Sequence, residues 1–282
     1  MVETKSSDIE QRFFECGKYR LPIGKKTYIM GILNVTPDSF SDGGSYSSVD
    51  EAVNRAKEMI REGAQIIDVG GESTRPGYKP VDTSEEIDRV IPVVERLVKE
   101  IDVPISVDTY KAQVAEKALK AGAHIINDIW GLHRDPLMAE TVSKYGAAVI
   151  VMHNQNETVY NNLMDDICNF LRRSIEIAEK AGIKSNSIMI DPGICFGKTL
   201  EQNLETMRKL SELKSLSKPV LLGTSRKSMI GKVLELPVDE RVEGTAATVA
   251  LGIAAGVDVV RVHDIKEMAM VAKMSDAIIR GL

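Results

Sequence analysis

The sequence predicts a (β/α)8 barrel, and three observations support this fold class. Eight short apolar runs of strand length alternate with eight longer segments of helical spacing. Most of the apolar runs end in polar residues or glycine, and no linker, low-complexity tract or change of composition divides the 282 residues. Alternation of strand and helix indicates a parallel sheet, and eight even repeats suit a closed barrel better than the alternative, a doubly wound open sheet.

The predicted strands are short, nearly continuous apolar runs, as strands buried on both faces require. They cover residues 28–35, 66–69, 104–107, 124–129, 147–152, 187–190, 219–222 and 258–262. The predicted helices cover residues 49–62, 84–100, 111–121, 136–145, 163–181, 200–213, 240–255 and 266–280. Residues 12–23 resemble a short β segment, and we expect a hairpin that covers one end of the barrel. The expected organisation is one domain over residues 1–282, with 1–26 as an N-terminal extension and 27–282 as the barrel.

Composition narrows the class of protein. A net charge of -5 and a pI of 5.6 give no indication of a nucleic-acid surface. The N-terminus lacks the apolar core of a signal peptide, and no apolar run approaches the roughly 20 residues that cross a bilayer. Three widely separated cysteines argue against a disulfide framework and favour a reducing compartment. We therefore expect a cytoplasmic protein with no membrane partner.

The stretch YIMGILNVTPDSFSDGG, residues 28–44, shows how the chain builds a site. A buried strand empties into a long polar loop, and Asn34 lies where the strand should end. Parallel α/β proteins place their sites at the carboxyl ends of strands in this way. The same arrangement recurs at the later strands.

Polar residues stand at or just after most strand ends, which meet at one mouth of a barrel. Burying so many polar groups without a ligand would cost desolvation free energy, so the pattern indicates a ligand site. The set comprises Asn34, Glu72, Ser73, Thr74, Arg75, Asp108, Asn127, His153, Asp191, Lys227, Arg261 and His263.

The residue types suggest the ligand. Two carboxylates and an amide, from Asp108, Asp191 and Asn127, suit the edge of an aminopyrimidine, which offers several N–H donors together with acceptors. Lys227 can donate to a ring carbonyl of the same ligand. These four residues predict a flat polar heterocycle deep in the barrel.

A second group of residues indicates an anion. Arg261 and His263 are successive same-side positions on an extended strand, and both can donate to a phosphate. The amide oxygen of Asn34 suits Mg²⁺, a hard ion that commonly bridges protein and phosphate oxygens. The sequence therefore predicts a phosphate-like group near the first and eighth strands.

Other candidates have simpler interpretations. His124 and His133 fit structural roles, whereas His153 fits a structural or a ligand-binding role equally well. Lys227 could be the Schiff-base lysine of an aldolase-like barrel, but its position beside Arg226 in a loop disfavours this. Packing roles are expected for Cys195 and Trp130, and the cysteines show no clustering typical of a zinc site.

Seven segments of the chain resemble the dihydropteroate synthase family and follow the family's order. They are NVTPDSFSDGG (34–44), GGESTRPG (70–77), SVDT (106–109), INDI (126–129), IDPGICFGK (190–198), GTSRKSMIG (223–231) and RVHD (261–264). The resemblance covers the chain from about residue 28 to its C-terminus, and the first two segments are the most specific.

The resemblance implies a transferase of folate biosynthesis on a pterin-binding barrel. Such an enzyme joins 6-hydroxymethyl-7,8-dihydropterin diphosphate to 4-aminobenzoate and releases pyrophosphate, with Mg²⁺ as cofactor and sulfonamides as competitors. Its partners would be these small molecules and a second copy of the chain, through the last helices. Diphosphate departs to leave a cationic pterin, which the arylamine then attacks.

The resemblance also assigns residues, by position in the matching motifs. The pterin positions are Asp108, Asn127, Asp191 and Lys227. The substrate and diphosphate contacts are Thr74, Arg75, Arg261 and His263, and the metal ligand is Asn34. Ser228 and the helix start beside it match the carboxylate site of aminobenzoate, while Phe40 and Pro76 shape that pocket. Asp38 is expected near the reacting carbon, so the expected catalytic residues are Asp38, Asp108, Asp191, Lys227, Arg261 and His263.

One segment departs from the family pattern. After the fifth strand many members have a Met-His-Met…Met-Gln pattern, whereas this chain has MHNQNETVYNN, which leaves Met152 as the expected pterin contact there. Two other functions remain open at this stage. One is a methyltetrahydrofolate:corrinoid methyltransferase, which would have no use for a diphosphate clamp, and the other is a pterin-binding subunit without catalytic activity.

Overall fold

The computed structural model describes residues 12–35, 45–72 and 81–281, with residues 45–48 described by their backbone alone. The chain begins in this part with a hairpin of two antiparallel strands, Phe13–Cys16 (β1) and Tyr19–Pro22 (β2). This agrees with the hairpin expected over residues 12–23.

Eight parallel strands follow and form the barrel. They are Tyr28–Asn34 (β3), Ile66–Gly70 (β4), Ile105–Asp108 (β5), Ile125–Asp128 (β6), Ala148–Met152 (β7), Ile188–Asp191 (β8), Leu221–Leu222 (β9) and Val259–Val262 (β10). Neighbours pair in the order β8-β7-β6-β5-β4-β3-β10-β9. A parallel bridge between Ile190 and Val220 joins the two ends of this order, so the sheet is closed. The fold is the predicted (β/α)8 barrel.

The α-helices of the described residues pack around this sheet. They are Ser45–Glu62 (α1), Thr83–Glu100 (α2), Ala112–Ala121 (α3), Met138–Lys144 (α4), Leu163–Lys180 (α5), Leu200–Arg208 (α6), Ser228–Leu234 (α7), Val242–Ala255 (α8) and Ile265–Ile279 (α9). Several begin at side-chain caps, the clearest being the reciprocal capping box between Thr199 and Gln202 at α6. None of them is both long and apolar enough to cross a bilayer.

Two helical segments differ from the sequence prediction. The helix expected over residues 200–213 ends at Arg208 and gives way to a 3₁₀ segment, Leu210–Leu216. Leu210, Leu213 and Leu216 are all buried, and their spacing of three matches the period of a 3₁₀ helix. The helix expected from residue 240 begins at Val242, after the short separate helix α7.

The inside of the barrel changes from apolar to polar between its two ends. Ile66, Ile125, Met189 and Val259 face inward near the amino ends of their strands. Because side chains alternate along a strand, the residues two positions further on also face inward. These are Asp68, Asn127, Asp191 and Arg261. The polar layer therefore lies directly above an apolar floor, at the end where the strands terminate.

The N-terminal hairpin closes the floor. Phe14, Cys16 and Ile23 pack with the inward apolar residues of the strands, and Phe14 and Cys16 are completely buried. Burial raises the pKa of the Cys16 thiol to about 12, so this cysteine is inert packing. The hairpin thus supplies the lowest layer of the core.

Truncating Phe14 tests this role. We expect Phe14→Ala to lower the free energy of unfolding by about 3–5 kcal/mol, because it leaves a cavity in the closed end of the barrel. The neighbouring Phe13→Ala is the control, since Phe13 is only partly buried and its ring faces the Arg20 guanidinium, 3.6 Å from the ring centroid. That contact is worth about 1 kcal/mol or less. Urea unfolding of both variants measures the difference, and equal losses would show that the hairpin is not part of the core.

Candidate active site

A cavity of about 590 Å³ lies at the carboxyl ends of the strands. Its lining contains seven of the residues that the sequence predicted for a site. These are Asn34, Glu72, Asp108, Lys227, Ser228, Arg261 and His263. The fold therefore brings together residues from β3, β5, β10 and the loop after β9, which are far apart in sequence.

Three further predicted residues are buried near this cavity but do not form its lining. Asn127, Met152 and Asp191 lie at the ends of β6, β7 and β8, each with 5 % or less of its surface exposed. The remaining predicted residues, Asp38, Phe40, Thr74, Arg75 and Pro76, together with Ser73, lie outside the described residues.

Arg261 is the centre of the buried polar layer. Its Nε donates to Asp68 Oδ2 at 2.6 Å, and one terminal nitrogen donates to Asp108 Oδ2 at 2.8 Å. Burial alone would lower the pKa of the guanidinium, but the carboxylates of Asp68 and Asp108 raise it, so Arg261 stays charged. A guanidinium predicted to clamp an anion is thus already shared between two carboxylates inside the barrel.

Asp108 has an unusual protonation state for a carboxyl group. Burial raises its pKa to about 7, and repulsion from Asp68, Glu86 and Asp128 adds to the rise, while Arg261 opposes it. The carboxyl group is therefore near its titration point at neutral pH. Such a group can change its charge when a cationic or N–H-rich ligand arrives.

The loop after β8 ties Asp191 to Lys227. Asp191 Oδ1 accepts from the backbone N–H of Gly193 at 2.7 Å, and Lys227 Nζ donates to the carbonyl of Ile194 at 2.7 Å. Burial raises the pKa of Asp191, which Lys227 opposes, and burial lowers the pKa of Lys227, which Asp191 opposes. Gly193 has φ +68°, and a side chain there would collide with the His153 carbonyl. The loop therefore needs glycine to hold both groups.

Lys198 fixes the same loop from inside. Its Nζ donates to the carbonyls of Gly193 and Phe196, at 2.9 and 3.1 Å, and to His153 Nδ1 at 2.9 Å. Burial lowers the pKa of Lys198 to about 7, and burial with the nearby lysine lowers the pKa of His153 to about 3. His153 is thus a neutral acceptor that supports the loop, and it is not part of the cavity lining.

Ser225 orients His263 at the mouth. Its Oγ accepts from the backbone N–H of His263 at 3.1 Å and lies 2.9 Å from His263 Nδ1. Since the hydroxyl hydrogen can then be given to Nδ1, the arrangement favours the tautomer that carries its proton on Nε2.

Asn34 ends β3 at the cavity wall, and its amide makes no hydrogen bond to another described residue. Within residues 12–35, 45–72 and 81–281, no group of three or more His, Cys, Asp or Glu side chains could hold a metal ion. One amide oxygen fits a Mg²⁺ ion that keeps several waters and is bound mainly by substrate phosphates. It does not fit a metal held by the protein alone.

Glu72 has a structural role at the rim. It accepts from Lys111 Nζ at 2.7 Å and from the Tyr110 hydroxyl at 3.1 Å, and Lys111 also pairs with Glu86 at 2.6 Å. The sequence placed Glu72 among the polar residues of the mouth, and Glu72 does line the cavity, while its carboxylate is tied to Tyr110 and Lys111 before α3.

Two residues with expected packing roles also face the cavity, and Cys195 packs against the hydrophobic core as predicted. Trp130 and Cys195 both line the cavity, with the Arg134 guanidinium 4.7 Å from the Trp130 ring centroid and Ser228 Oγ 3.6 Å from Cys195 Sγ. Cys195 reaches the cavity because it has φ +67°, a turn that the sequence did not reveal. His124 accepts from the backbone N–H of Ile105, and His133 contacts Ser174, which are structural contacts.

Sequence reasoning missed three residues of the buried layer. Asp68 sits inside an apolar strand, and counting its strand's alternation would have placed it on the inner face. Lys198 and Ser225 lie in loops, where nothing in the residue pattern indicates which way a side chain turns. All three form hydrogen bonds to other polar residues of this end of the barrel: Asp68 to Arg261, Lys198 to His153 and Ser225 to His263.

Asp108, Lys227 and Arg261 line the cavity, and Asn127 and Asp191 are buried beside it, so this end of the barrel presents acceptors and donors that can hold a flat heterocycle by its polar edge. The two carboxyl groups and the two cations of this set nearly balance in charge, so the site suits a ring without net charge. Its carboxylates can also stabilise a cationic centre attached to that ring. The sequence model of the family described as "Pterin binding enzyme" matches residues 30–263. The chain therefore belongs to the pterin-binding enzymes.

Relatives narrow this to dihydropteroate synthases, the family to which the chain belongs. "Dihydropteroate synthase" of Clostridium beijerinckii is 56 % identical over 94 % of this chain and 98 % of its own. The structure of the Clostridium difficile dihydropteroate synthase in the presence of pteroic acid is 57 % identical, with a TM-score of 0.90 over 92 % of this chain and 98 % of that one. The Yersinia pestis enzyme in a sulfonamide complex is 42 % identical, with a TM-score of 0.88 over 94 % and 98 %. The Xanthomonas albilineans enzyme with 4-aminobenzoic acid is 38 % identical, with a TM-score of 0.90 over 95 % and 98 %.

Removing the Lys198 amine tests the account of the loop after β8. We expect Lys198→Met to lower the free energy of unfolding by about 1–3 kcal/mol, because two buried carbonyls lose their donor. Lys209→Met is the matched control, since Lys209 forms an exposed ion pair with Glu205 and its loss should leave the free energy of unfolding nearly unchanged. Urea unfolding compares the two variants. If both cost the same, the Lys198 amine does not hold this loop.

Proposed function

We propose that this chain joins 6-hydroxymethyl-7,8-dihydropterin diphosphate to 4-aminobenzoate, giving 7,8-dihydropteroate and pyrophosphate in folate biosynthesis. Membership of the dihydropteroate synthase family makes the chain an enzyme and a transferase. The observation that carries the proposal is that Asp108 and Lys227 line the cavity while Asn127 and Asp191 are buried at the same end of the barrel. Relatives have been solved with pteroic acid and with 4-aminobenzoic acid, which supports both substrates.

The pterin ring would lie against the buried ends of β5, β6 and β8. Asp191 and the amide oxygen of Asn127 would accept from the N–H groups of its aminopyrimidine edge, and Lys227 would donate to the ring carbonyl. Burial lowers the pKa of Lys227, and the Asp191 carboxylate opposes that shift. Met152 would pack against one face of the ring.

Loss of diphosphate leaves positive charge on the exocyclic methylene and the ring. Asp108 and Asp191 are the carboxyl groups placed to stabilise this charge. Because the pKa of Asp108 is about 7, a developing cation beside it favours the carboxylate form. No side chain needs to form a covalent bond, since the arylamine is itself the nucleophile.

The diphosphate would lie towards β3 and β10. His263 and Arg261 are proposed to donate to the diphosphate, and Thr74 and Arg75 are assigned to the same group. Asn34 would hold Mg²⁺, which neutralises phosphate charge when bound. Arg261 is shared with Asp68 and Asp108, so it contributes only part of its charge to the leaving group.

The arylamine would enter from the mouth. Ser228, exposed at the start of α7, is proposed to bind the aminobenzoate carboxylate, and Phe40 and Pro76 to shape its pocket. Asp38 is proposed to lie near the reacting carbon. Sulfonamides, which resemble aminobenzoate, would compete at this position, as the sulfonamide complex of the Yersinia pestis relative suggests.

We also propose one functional domain over residues 1–282, with residues 1–26 as an extension, because the hairpin packs into the floor of the barrel. A cytoplasmic location is supported by the three free cysteines, of which Cys16 and Cys168 are buried.

A homodimer through the last helices is the proposed assembly. Met270, Met274 and Ile278 follow each other at intervals of four on α9, so they share one face, and each is at least 60 % exposed. Leu251 on the adjoining helix α8 is also exposed. An apolar face of this kind is unusual on a monomer and fits a partner helix pair from a second copy.

The reaction itself is the first test. Purified protein should release pyrophosphate only when the pterin diphosphate and 4-aminobenzoate are both present, and removal of Mg²⁺ with a chelator should reduce the rate. Coupled detection of pyrophosphate measures both effects. Release without the arylamine, or none at all, would favour the non-catalytic pterin-binding subunit, while methyl transfer from methyltetrahydrofolate would favour the corrinoid methyltransferase.

The variant Asp191→Asn supplies the site control. Loss of charge-assisted bonds should weaken pterin binding by about 1–3 kcal/mol. Calorimetry with 6-hydroxymethylpterin measures this directly, and unchanged affinity would remove Asp191 from the pterin site.

Disrupting the apolar face tests the assembly. Met274→Glu should convert a species of twice 31.0 kDa into one of 31.0 kDa, because a charge would be buried at the centre of the contact. Val159→Glu is the control, since Val159 is 73 % exposed on a loop away from α9. Light scattering after size exclusion gives the masses. A wild-type monomer, or a dimer that survives Met274→Glu, would contradict the proposed contact.

A further inference from the structure

Asp68 is the one carboxylate of the buried layer that the proposed reaction does not use. It lies on β4, two residues before the strand ends, and it is completely buried. Because Asp68 pairs in register with Ser106 and Gly70 pairs with Asp108, its carboxylate lies one layer deeper than that of Asp108. It is therefore placed beneath the groups that would contact the pterin.

One oxygen of Asp68 is bonded to two of those groups. Oδ2 accepts from Arg261 Nε at 2.6 Å and from Asn127 Nδ2 at 3.3 Å. Since one N–H of the Asn127 amide is given to Asp68, the orientation of the amide is fixed and its oxygen stays available as an acceptor for a ligand. The same contact fixes the Arg261 guanidinium so that its other arm meets Asp108.

The second oxygen of Asp68 is unsatisfied. Within the described residues, Asp68 Oδ1 and the neighbouring Ser106 Oγ are buried side-chain atoms without a hydrogen-bond partner. A buried carboxylate with a free oxygen is costly, because an unpaired polar group loses its hydration. A residue that served only to pack this position would be apolar. The presence of a carboxylate is therefore best explained by its hydrogen bonds from Arg261 and Asn127.

We propose that Asp68 is a positioning residue for the pterin site, which orients the Asn127 amide and holds Arg261 between two carboxylates. The proposal rests on the pterin function given above. Asp68 does not touch the substrate. It determines which atom of Asn127 faces the ring and how much of the Arg261 charge reaches Asp108.

The charge of Asp68 affects the pKa of Asp108 in a definite direction. The charged groups around Asp108 are Arg261 from β10, Asp68 from β4, Glu86 from α2, Asp128 from β6 and Lys227 from the loop after β9. Burial raises the pKa of Asp108 first, and the negative charge of Asp68 raises it further. Removing that charge lowers the pKa, both by removing repulsion and by leaving Arg261 with a single carboxylate partner.

The variant Asp68→Asn keeps the size of the side chain and removes its charge. The KM for the pterin diphosphate should rise by about tenfold, since a charge-assisted contact to the site is lost. The KM for 4-aminobenzoate should stay within about twofold, because that substrate lies away from β4. If Asp108 must be a carboxylate to bind, the acid limb of kcat/KM for the pterin diphosphate should move to lower pH, by about one pH unit.

Ser106→Ala is the matched control. Ser106 is equally buried, lies in the same layer on the adjoining strand and makes no hydrogen bond to a site residue. It should leave both KM values and the pH profile unchanged. An Asp68→Asn enzyme that only unfolds more easily, with wild-type KM values and pH profile, would overturn the proposal and leave Asp68 with a purely structural role.

Two further measurements separate the possible failures. If wild-type protein releases no pyrophosphate, the proposed function fails, and calorimetry with 6-hydroxymethylpterin on Asp68→Asn still decides the positioning role, since unchanged affinity overturns it. If Asp68→Asn does not fold, a crystal structure of the wild type with 6-hydroxymethylpterin decides. An Asn127 oxygen on the ring with its nitrogen still on Asp68 supports the proposal, and an Asn127 amide without contact to Asp68 overturns it.

Discussion

The ion cluster of Arg261 with Asp68 and Asp108 is the interaction on which the rest of the site depends. A guanidinium inside a barrel is stable only if its charge is compensated, because an isolated buried ion loses far more hydration free energy than packing returns. The two carboxylates that provide this compensation lie on β4 and β5. In the strand order these strands are separated from β10, which carries Arg261, by β3. The cluster therefore connects strands that have no direct hydrogen-bonded pairing with β10, and it fixes the distance across the mouth.

This arrangement explains why the barrel is divided into two halves. The lower half is filled by aliphatic side chains and sealed by Phe14 of the hairpin, so it supplies apolar burial without polar groups to satisfy. The upper half then accommodates buried charges near one mouth, where a ligand can satisfy the remaining donors and acceptors. Stability and binding are thus assigned to different ends of the same strands, as is general for this fold.

The loop after β8 positions two charged residues of the site at once. Lys198 and His153 hold the loop from inside, and the loop in turn presents a backbone N–H to Asp191 and a carbonyl to Lys227. The two charged residues proposed to bind the ring are therefore positioned by one short segment. A displacement of that segment would move a carboxylate and an amine together, which preserves their pairing.

Much of this could be predicted from the sequence, and the limits follow from physical causes. Asp108, Asn127 and Arg261 were identified because each ends an apolar run, and strand ends must meet at one mouth whatever the details of packing. Trp130 and Cys195 were assigned to packing, and the sequence did not indicate that both also line the cavity. The left-handed turn that directs Cys195 there is a backbone property that its residue type disfavours. The helix after residue 200 was predicted too long, since a change from α to 3₁₀ geometry depends on which leucines the neighbouring helices bury.

The sequence by itself determined the alternation of strands and helices, the polar ends of the strands and the resemblance that names the family. These are local patterns, fixed by hydrophobic periodicity and by the residues at each strand's end. Only the tertiary structure decided which polar groups pair with one another. Arg261 could have bound a ligand anion alone, yet it lies against Asp68 and Asp108, residues 193 and 153 positions away. Such pairings depend on barrel closure and on the low dielectric inside it, which no local pattern of residues records.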